Sequence, residues 1–266
     1  MVLKYIFVHT ETDKNEIMSG VLGRLPRGSM HVFRQLFDHE SFTYTYLLGC
    51  PQRKQAVLVD PVDTRVDRDL NLIKELDLNL VYAVNTHCHA DHLTATGLLK
   101  QRTGCRSVIS LASGAQADVH VSDGDSVVYG DHTLRVVATP GHTSGCVTFV
   151  NEAERFGLTG DTLLIRGCGR TDFQEGDAGM LWDNVWKKIF TLPADYHLYP
   201  AHDYNGRTVT TVQEETLHNP RLTKSREDFV ELMDKLGLAY PKKIDTAVPY
   251  NLRCGLDSEG RPLDRE

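Results

Sequence analysis

The stretch Val84–Gly97, VNTHCHADHLTATG, places three histidines and an aspartate within six residues, at His87, His89, Asp91 and His92. On an extended chain residues two apart share a face, so His87 and His89 point the same way. The apolar run LVYAVNT before them reads as a buried strand, and DHLTATGLLKQRTG reads as a helix that begins at Asp91 and closes near Gly104. The chain turns at that junction and can fold Asp91 and His92 back toward the same point. Three imidazoles and a carboxylate packed together without a cation would bury polar groups with too few partners, so the cluster reads as a metal site.

Residues of the same chemistry recur where other strand-like runs end. His142 follows Pro140-Gly141 after RVVAT, Asp161 follows Thr159-Gly160, and His202 follows YPA. Imidazole and carboxylate suit zinc, iron or manganese, and the lack of clustered thiols argues against a structural Cys₄ site. Ligand types alone permit one metal or two. The remaining histidines, His9, His31, His39, His120, His132, His197 and His218, read as ordinary core or surface residues.

The 266 residues suit one large domain, and 41% apolar and 24% charged residues are ordinary for a soluble globular chain. No apolar run approaches the length of a membrane span. A net charge of −7 gives no footprint for nucleic acid. Six scattered cysteines without C-x-x-C pairs indicate a reduced compartment. Residues 1–29 read as an N-terminal extension outside the domain. Their acidic residues fit a transit peptide badly, and LPRGS before Met30 resembles a protease-site scar. Residues 30–254 read as the single catalytic domain and 255–266 as a polar, fraying tail.

FTYTYLLG (42–49) and QAVLVDPV (55–62) look like paired strands, and DRDLNLIKELDLN is close to helical period. Short β-runs follow (SVIS, SVVYG, HTLRVVAT, CVTFVN, RFGLTG), then helical MLWDNVWKKIFTLP, the strand YHLYPAH and the amphipathic helix TKSREDFVELMDKLGL. The order is mixed without strict alternation, which predicts an α+β fold of two mixed sheets sandwiched between helices.

THCHADH, PGHTSGC, LTGD and YPAHD together resemble the metallo-β-lactamase superfamily over about residues 31 to 254. That resemblance implies an αββα sandwich with metal at one edge of the sheets. GDTLLIRGCGRTDFQEG (Gly160–Gly176), YPAHDYNGRTVTTVQEE and NPRLTKSREDFVELM resemble the persulfide dioxygenases, the family of the ethylmalonic-encephalopathy protein. This resemblance implies one Fe(II) per chain on His87, His142 and Asp161, a 2-His-1-carboxylate triad that leaves adjacent positions for a sulfur atom and O2. It implies that His89, Asp91, His92 and His202 orient ligands or water. The implied substrates are glutathione persulfide and O2, and the products are sulfite and glutathione.

Arg170 is the expected partner of a substrate carboxylate, with a loop-stabilising role as the competing expectation, and Tyr204 is expected to donate to or pack on the peptide. Cys168 is expected near the oxidant as a bystander, and Cys88 is expected to pack on the opposite side from the histidines. A glyoxalase II-like hydrolase with two metals is the rival activity, and a non-catalytic metal-binding protein the rival class. The resemblance further implies a homodimer, in the mitochondrial matrix of a eukaryote or the cytoplasm of a bacterium.

Overall fold

Tyr44, Tyr46 and Leu48 alternate with Thr45, Leu47 and Gly49 along one strand, yet all seven residues Tyr44–Cys50 are buried. Such a strand has to be covered on both faces. The structure, a computed structural model, describes residues 31–264, and from His31 onward they form one compact unit. The N-terminal extension expected at residues 1–29 lies outside the described residues.

Six strands make the first sheet in the order of the chain: β1 (Val32–Phe37), β2 (Tyr44–Cys50), β3 (Gln55–Val59), β4 (Asn79–Val84), β5 (Arg106–Ser110) and β6 (Val119–Val121). The second holds β7 (Ser126–Tyr129), β8 (His132–Ala138), β9 (Val147–Asn151), β10 (Phe156–Gly160), β11 (His197–Pro200) and β12 (Thr210–Thr211). Both are mixed: β3 to β6 run parallel beyond an antiparallel β1 to β3, and β10 pairs parallel with β11 inside an otherwise antiparallel sheet.

Alternation along the strands builds three apolar layers. Tyr46, Leu48, Val57, Val59 and Val84 meet Leu134, Val136, Phe149 and Leu158 between the sheets. Leu47, Leu58 and Ala83 face outward onto Ile73 of α1 (Val66–Glu75) and Leu99 of α2 (Thr96–Thr103). Val137, Val150 and Leu198 face outward onto Leu181 of α3 (Ala178–Asn184), which runs on through a π-helical turn, and onto Phe229 of α5 (Arg226–Asp234). This is the αββα sandwich. The remaining helices are α4 (Val212–His218) and α6 (Ile244–Asn251), and no helix among the described residues is long and apolar enough to cross a membrane. Residues 255–264 fold back, with Gln101 Nε2 donating to the Gly260 carbonyl at 2.8 Å.

One expected boundary moves. The helix after the histidine stretch starts at Thr96 and not at Asp91. Residues 91–95 instead bend and pair with the chain after β3: Asp63 N donates to the Leu93 carbonyl at 3.0 Å and Ala95 N to the Pro61 carbonyl at 2.8 Å, while Asp91 accepts from His92 Nδ1 at 3.1 Å and from His202 Nε2 at 2.9 Å.

Tyr46, 1% exposed, ties the first sheet to the end of β11. Its hydroxyl donates to the Pro200 carbonyl at 2.6 Å and accepts from Gln35 Nε2 at 3.1 Å. Tyr46→Phe removes both bonds without changing shape. It should cost about 1–3 kcal/mol, seen as a lower urea midpoint with an unchanged m-value.

Candidate metal centre

Five strands deliver side chains to one end of the sandwich. Asp60 stands at the exit of β3, the histidine stretch at that of β4, His142 beyond β8, Asp161 beyond β10 and His202 beyond β11. Among the described residues the side chains form two clusters: His87, His142 and Asp161 in one, and His89, Asp91, His92 and His202 in the other. In each cluster the ligand atoms lie within 4.8 Å of one another.

Hydrogen bonds fix the tautomers of the first cluster. The Thr86 hydroxyl donates to Asp60 Oδ2 at 2.9 Å, so toward His87 Nδ1, 3.0 Å away, it can only accept. His87 therefore carries its proton on Nδ1. His142 Nδ1 donates to the Arg170 carbonyl at 2.6 Å. Both rings thus keep an Nε2 lone pair for a metal. Asp161 accepts from His202 Nδ1 on Oδ1 at 2.7 Å, and its Oδ2 lies 3.7 Å from His142 Nε2. Burial works against the charge of Asp161, but the neighbouring His202 more than offsets it and holds the carboxylate well below its usual range. Burial, together with His89, drives His87 strongly toward the neutral form that a ligand requires. Two imidazole nitrogens and a carboxylate oxygen, each with its companion atom tied to the protein, fit a divalent transition metal.

The second cluster is wired differently. His202 puts Nδ1 on Asp161 and Nε2 on Asp91, so both ring nitrogens donate to carboxylates. Burial opposes the cation, yet the two carboxylates raise its pKa well above the ordinary value. Thr43 Oγ1 lies 3.1 Å from His202 Nε2 and 3.3 Å from His92 Nδ1. His89 Nε2 donates to Asp60 at 3.0 Å, while His89 Nδ1 and His92 Nε2 are buried with no hydrogen-bond partner among the described residues.

A cavity of about 520 Å³ opens onto the first cluster, lined also by Leu164, Ile165, Cys168, Tyr204 and Leu238. Tyr204 is 63% exposed, stands parallel to the His202 ring and has no hydroxyl partner among the described residues. Arg170 does not present a free guanidinium. Nε and Nη2 donate to the two oxygens of Asp172 at 2.6 and 2.7 Å, and Nη1 donates to the Ala239 carbonyl at 2.8 Å. All three guanidinium nitrogens are therefore engaged by protein oxygens. Arg166 is likewise bound to Glu214 and Glu215, and Arg207 to Asp203. Arg221 alone among the four cavity arginines has no carboxylate partner among the described residues; its Nη1 donates to the Cys168 carbonyl at 3.2 Å.

Cys168 is buried, and burial pushes its thiol up to about 11, which removes the thiolate that oxidation favours. Cys88 lines a separate cavity with Thr143 and Gln174, away from the metal-facing atoms. Sequence inspection missed Asp60, Thr86, Thr43, Gly169 and Arg221. Only Asp60 carried a signal, as an acid before proline at the exit of a strand.

The Metallo-beta-lactamase superfamily profile matches residues 40–117 and 114–202, so fold and site together define a protein of that superfamily. Persulfide dioxygenase ETHE1, mitochondrial, of Homo sapiens is 57% identical over 232 residues, 87% of this chain and 91% of that protein. The crystal structure of ETHE1 from Myxococcus xanthus matches with a TM-score of 0.82 at 51% identity, covering 84% of this chain and 99% of that one. Hydroxyacylglutathione hydrolase of Bradyrhizobium sp. (strain ORS 278) is 38% identical over 181 residues, 66% of this chain and 68% of that protein. Within the superfamily, the chain belongs to the persulfide dioxygenase family.

Gly169 threads between the metal-facing residues. A Cβ there would lie 2.7 Å from the Asp161 carbonyl and 2.7 Å from the His142 ring. Gly169→Ala should therefore displace His142 and lower bound metal, measured by elemental analysis after reconstitution, by roughly tenfold or more in affinity. Wild-type metal content would show that the loop yields instead.

Proposed function

We propose that the chain is an Fe(II)-dependent persulfide dioxygenase, an oxidoreductase that converts glutathione persulfide, O2 and water to glutathione, sulfite and protons. The observation that carries this reading is the set of three metal-facing atoms, His87 Nε2, His142 Nε2 and Asp161 Oδ2, each backed by a hydrogen bond and opening on the cavity. One Fe(II) held there would supply adjacent open positions where a sulfur anion and O2 meet, and a path for the four electrons that pass from the sulfane sulfur to O2.

The chain's own residues do the rest. Leu164, Ile165 and Leu238 give the cavity apolar walls that keep water from the reacting sulfur. Arg221 takes the role first expected of Arg170 and receives a carboxylate of the glutathione moiety, because among the described residues it is the cavity guanidinium without a carboxylate of its own. Tyr204 offers its free hydroxyl at the mouth. His202, charged between Asp161 and Asp91, keeps Asp161 turned so that Oδ2 remains for the metal. His89 and His92 orient the surrounding groups. The compartment is the mitochondrial matrix for a eukaryotic source and the cytoplasm for a bacterial one.

Two buried lone pairs, on His89 Nδ1 and His92 Nε2, favour a second reading, a two-metal glutathione thiolester hydrolase. Protein reconstituted anaerobically with Fe(II) separates the two. Oxygen uptake and sulfite formation on adding glutathione persulfide, lost in His142→Ala, support the dioxygenase. Two metals per chain with thiolester cleavage and no oxygen uptake overturn it.

Arg221→Gln should raise the KM for glutathione persulfide roughly tenfold to a hundredfold, the weight of one charge-assisted pair, and change kcat much less. Steady-state oxygen-electrode assays read this directly. An unchanged KM would remove Arg221 from the substrate site.

A further inference from the structure

Arg170 joins two segments that are far apart in sequence. Its Asp172 fork is local, but the Ala239 carbonyl that Nη1 binds lies 69 residues away. Its Cζ sits 4.6 Å over the Phe173 ring, and Phe173 meets Tyr240 edge-on at 5.4 Å between centroids. The guanidinium therefore holds the loop after Asp161 against residues 236–241 by a charge-assisted hydrogen bond and an aromatic contact.

That segment is a wall of the active-site cavity: Leu238, Ala239 and Pro241 all line it. It lies between α5 and α6 with neither helix nor strand of its own. Its backbone is held at the ends, where Leu236 N donates to the Met233 carbonyl at 3.3 Å and Ile244 N to the Pro241 carbonyl at 3.2 Å. Between these points residues 237–240 make no backbone–backbone hydrogen bond among the described residues. Gly237 has φ +57, and Leu238 and Tyr240 are 48% and 57% exposed, so little packing fixes the span. The remaining hold comes from Arg170, from Phe173 and from the Tyr240 hydroxyl, which donates to Asp245 Oδ1 at 2.7 Å.

The same residue also holds the metal centre through its backbone. The Arg170 carbonyl accepts from His142 Nδ1 at 2.6 Å, and the preceding Gly169 N donates to the Asp161 carbonyl at 2.7 Å. A purely local Arg170–Asp172 pair at the surface would be worth little. Here the Arg170 side chain is only 18% exposed, and its third arm reaches the cavity wall.

We propose that Arg170 is a positioning residue, a latch that fastens the 236–241 wall to the loop orienting His142, so that cavity shape and ligand geometry are set together. The inference adds a structural role to the site of the proposed function, and its primary readouts do not depend on turnover.

The experiment uses the full chain loaded with Fe(II) and compares wild type with Arg170→Met, which keeps the aliphatic stem, and Asp172→Asn, which loosens the aim of the guanidinium at a largely exposed carboxylate. Hydrogen exchange at the Leu236 and Ile244 amides, whose hydrogen bonds close the two ends of the span, should rise roughly tenfold in Arg170→Met, as expected for one charge-assisted bond lost, and by less in Asp172→Asn. Iron release to a chelator should accelerate in the same order, and kcat should fall as KM rises. Wild-type exchange and release in both variants would overturn the latch. A rise in KM alone would return Arg170 to direct substrate contact. Should Arg170→Met not fold, Asp172→Asn carries the exchange test. Wild-type protein that fails to oxidise persulfide would sink the proposed function and leave the exchange result to decide the latch.

Discussion

The metal end of this molecule depends on a buried carboxylate that has to be satisfied. Asp60 is 1% exposed, and burial raises its pKa, so each oxygen needs a donor. Thr86 N at 2.7 Å, the Thr86 hydroxyl at 2.9 Å and His89 Nε2 at 3.0 Å supply them. In meeting that demand the chain fixes the path of the histidine stretch, the tautomer of His87 and the ring plane of His89. Asp60 itself adopts φ +51, a conformation that an aspartate tolerates better than most residues and that turns the carboxylate under β4. Hydrogen bonds within the protein thus orient the ligand side chains.

Much of this was legible in the sequence because metal chemistry restricts residue types so strongly. His142, Asp161 and His202 each follow an apolar run, and parallel or mixed strands that end on one side bring such residues together wherever the sheets lie. The sandwich was legible on another ground, because strand-like and helical runs follow one another without strict alternation, which predicts two mixed sheets between helices. α6 was not, because Pro249 lies inside it and the preceding segment gives no start signal. The start of α2 was misplaced because propensity says nothing of Asp91 being drawn off by His202, 111 residues away in the chain.

Arg170 marks the limit differently. Its Asp172 partner was visible two residues away, but adjacent charges in a loop meet only if the backbone bends to bring them together. The Ala239 carbonyl beside Arg170, and an Arg221 that meets no carboxylate among the described residues, depend on segments distant in sequence that only the folded chain brings together. Which arginine in a cavity is available is a statement about all its neighbours, and a sequence names the arginines without naming the carboxylates each will face.

The two clusters contain almost the same kinds of side chain, and what makes them unequal is where their protons lie. In the first, each imidazole gives its proton away from the centre, to Thr86 and to the Arg170 carbonyl, so the lone pairs converge. In the second, His202 gives protons in both directions, to Asp161 and Asp91, and has no lone pair to offer while it does so. That charged ring also stabilises Asp161 as an anion and takes up Oδ1, which strengthens the first cluster through the same bond that weakens the second. A second ion would have to displace the His202 proton from Asp91 and so remove the charge that balances the Asp91 and Asp161 carboxylates. Binding at the first cluster requires no such exchange, and this asymmetry is the physical basis of the one-metal reading proposed above.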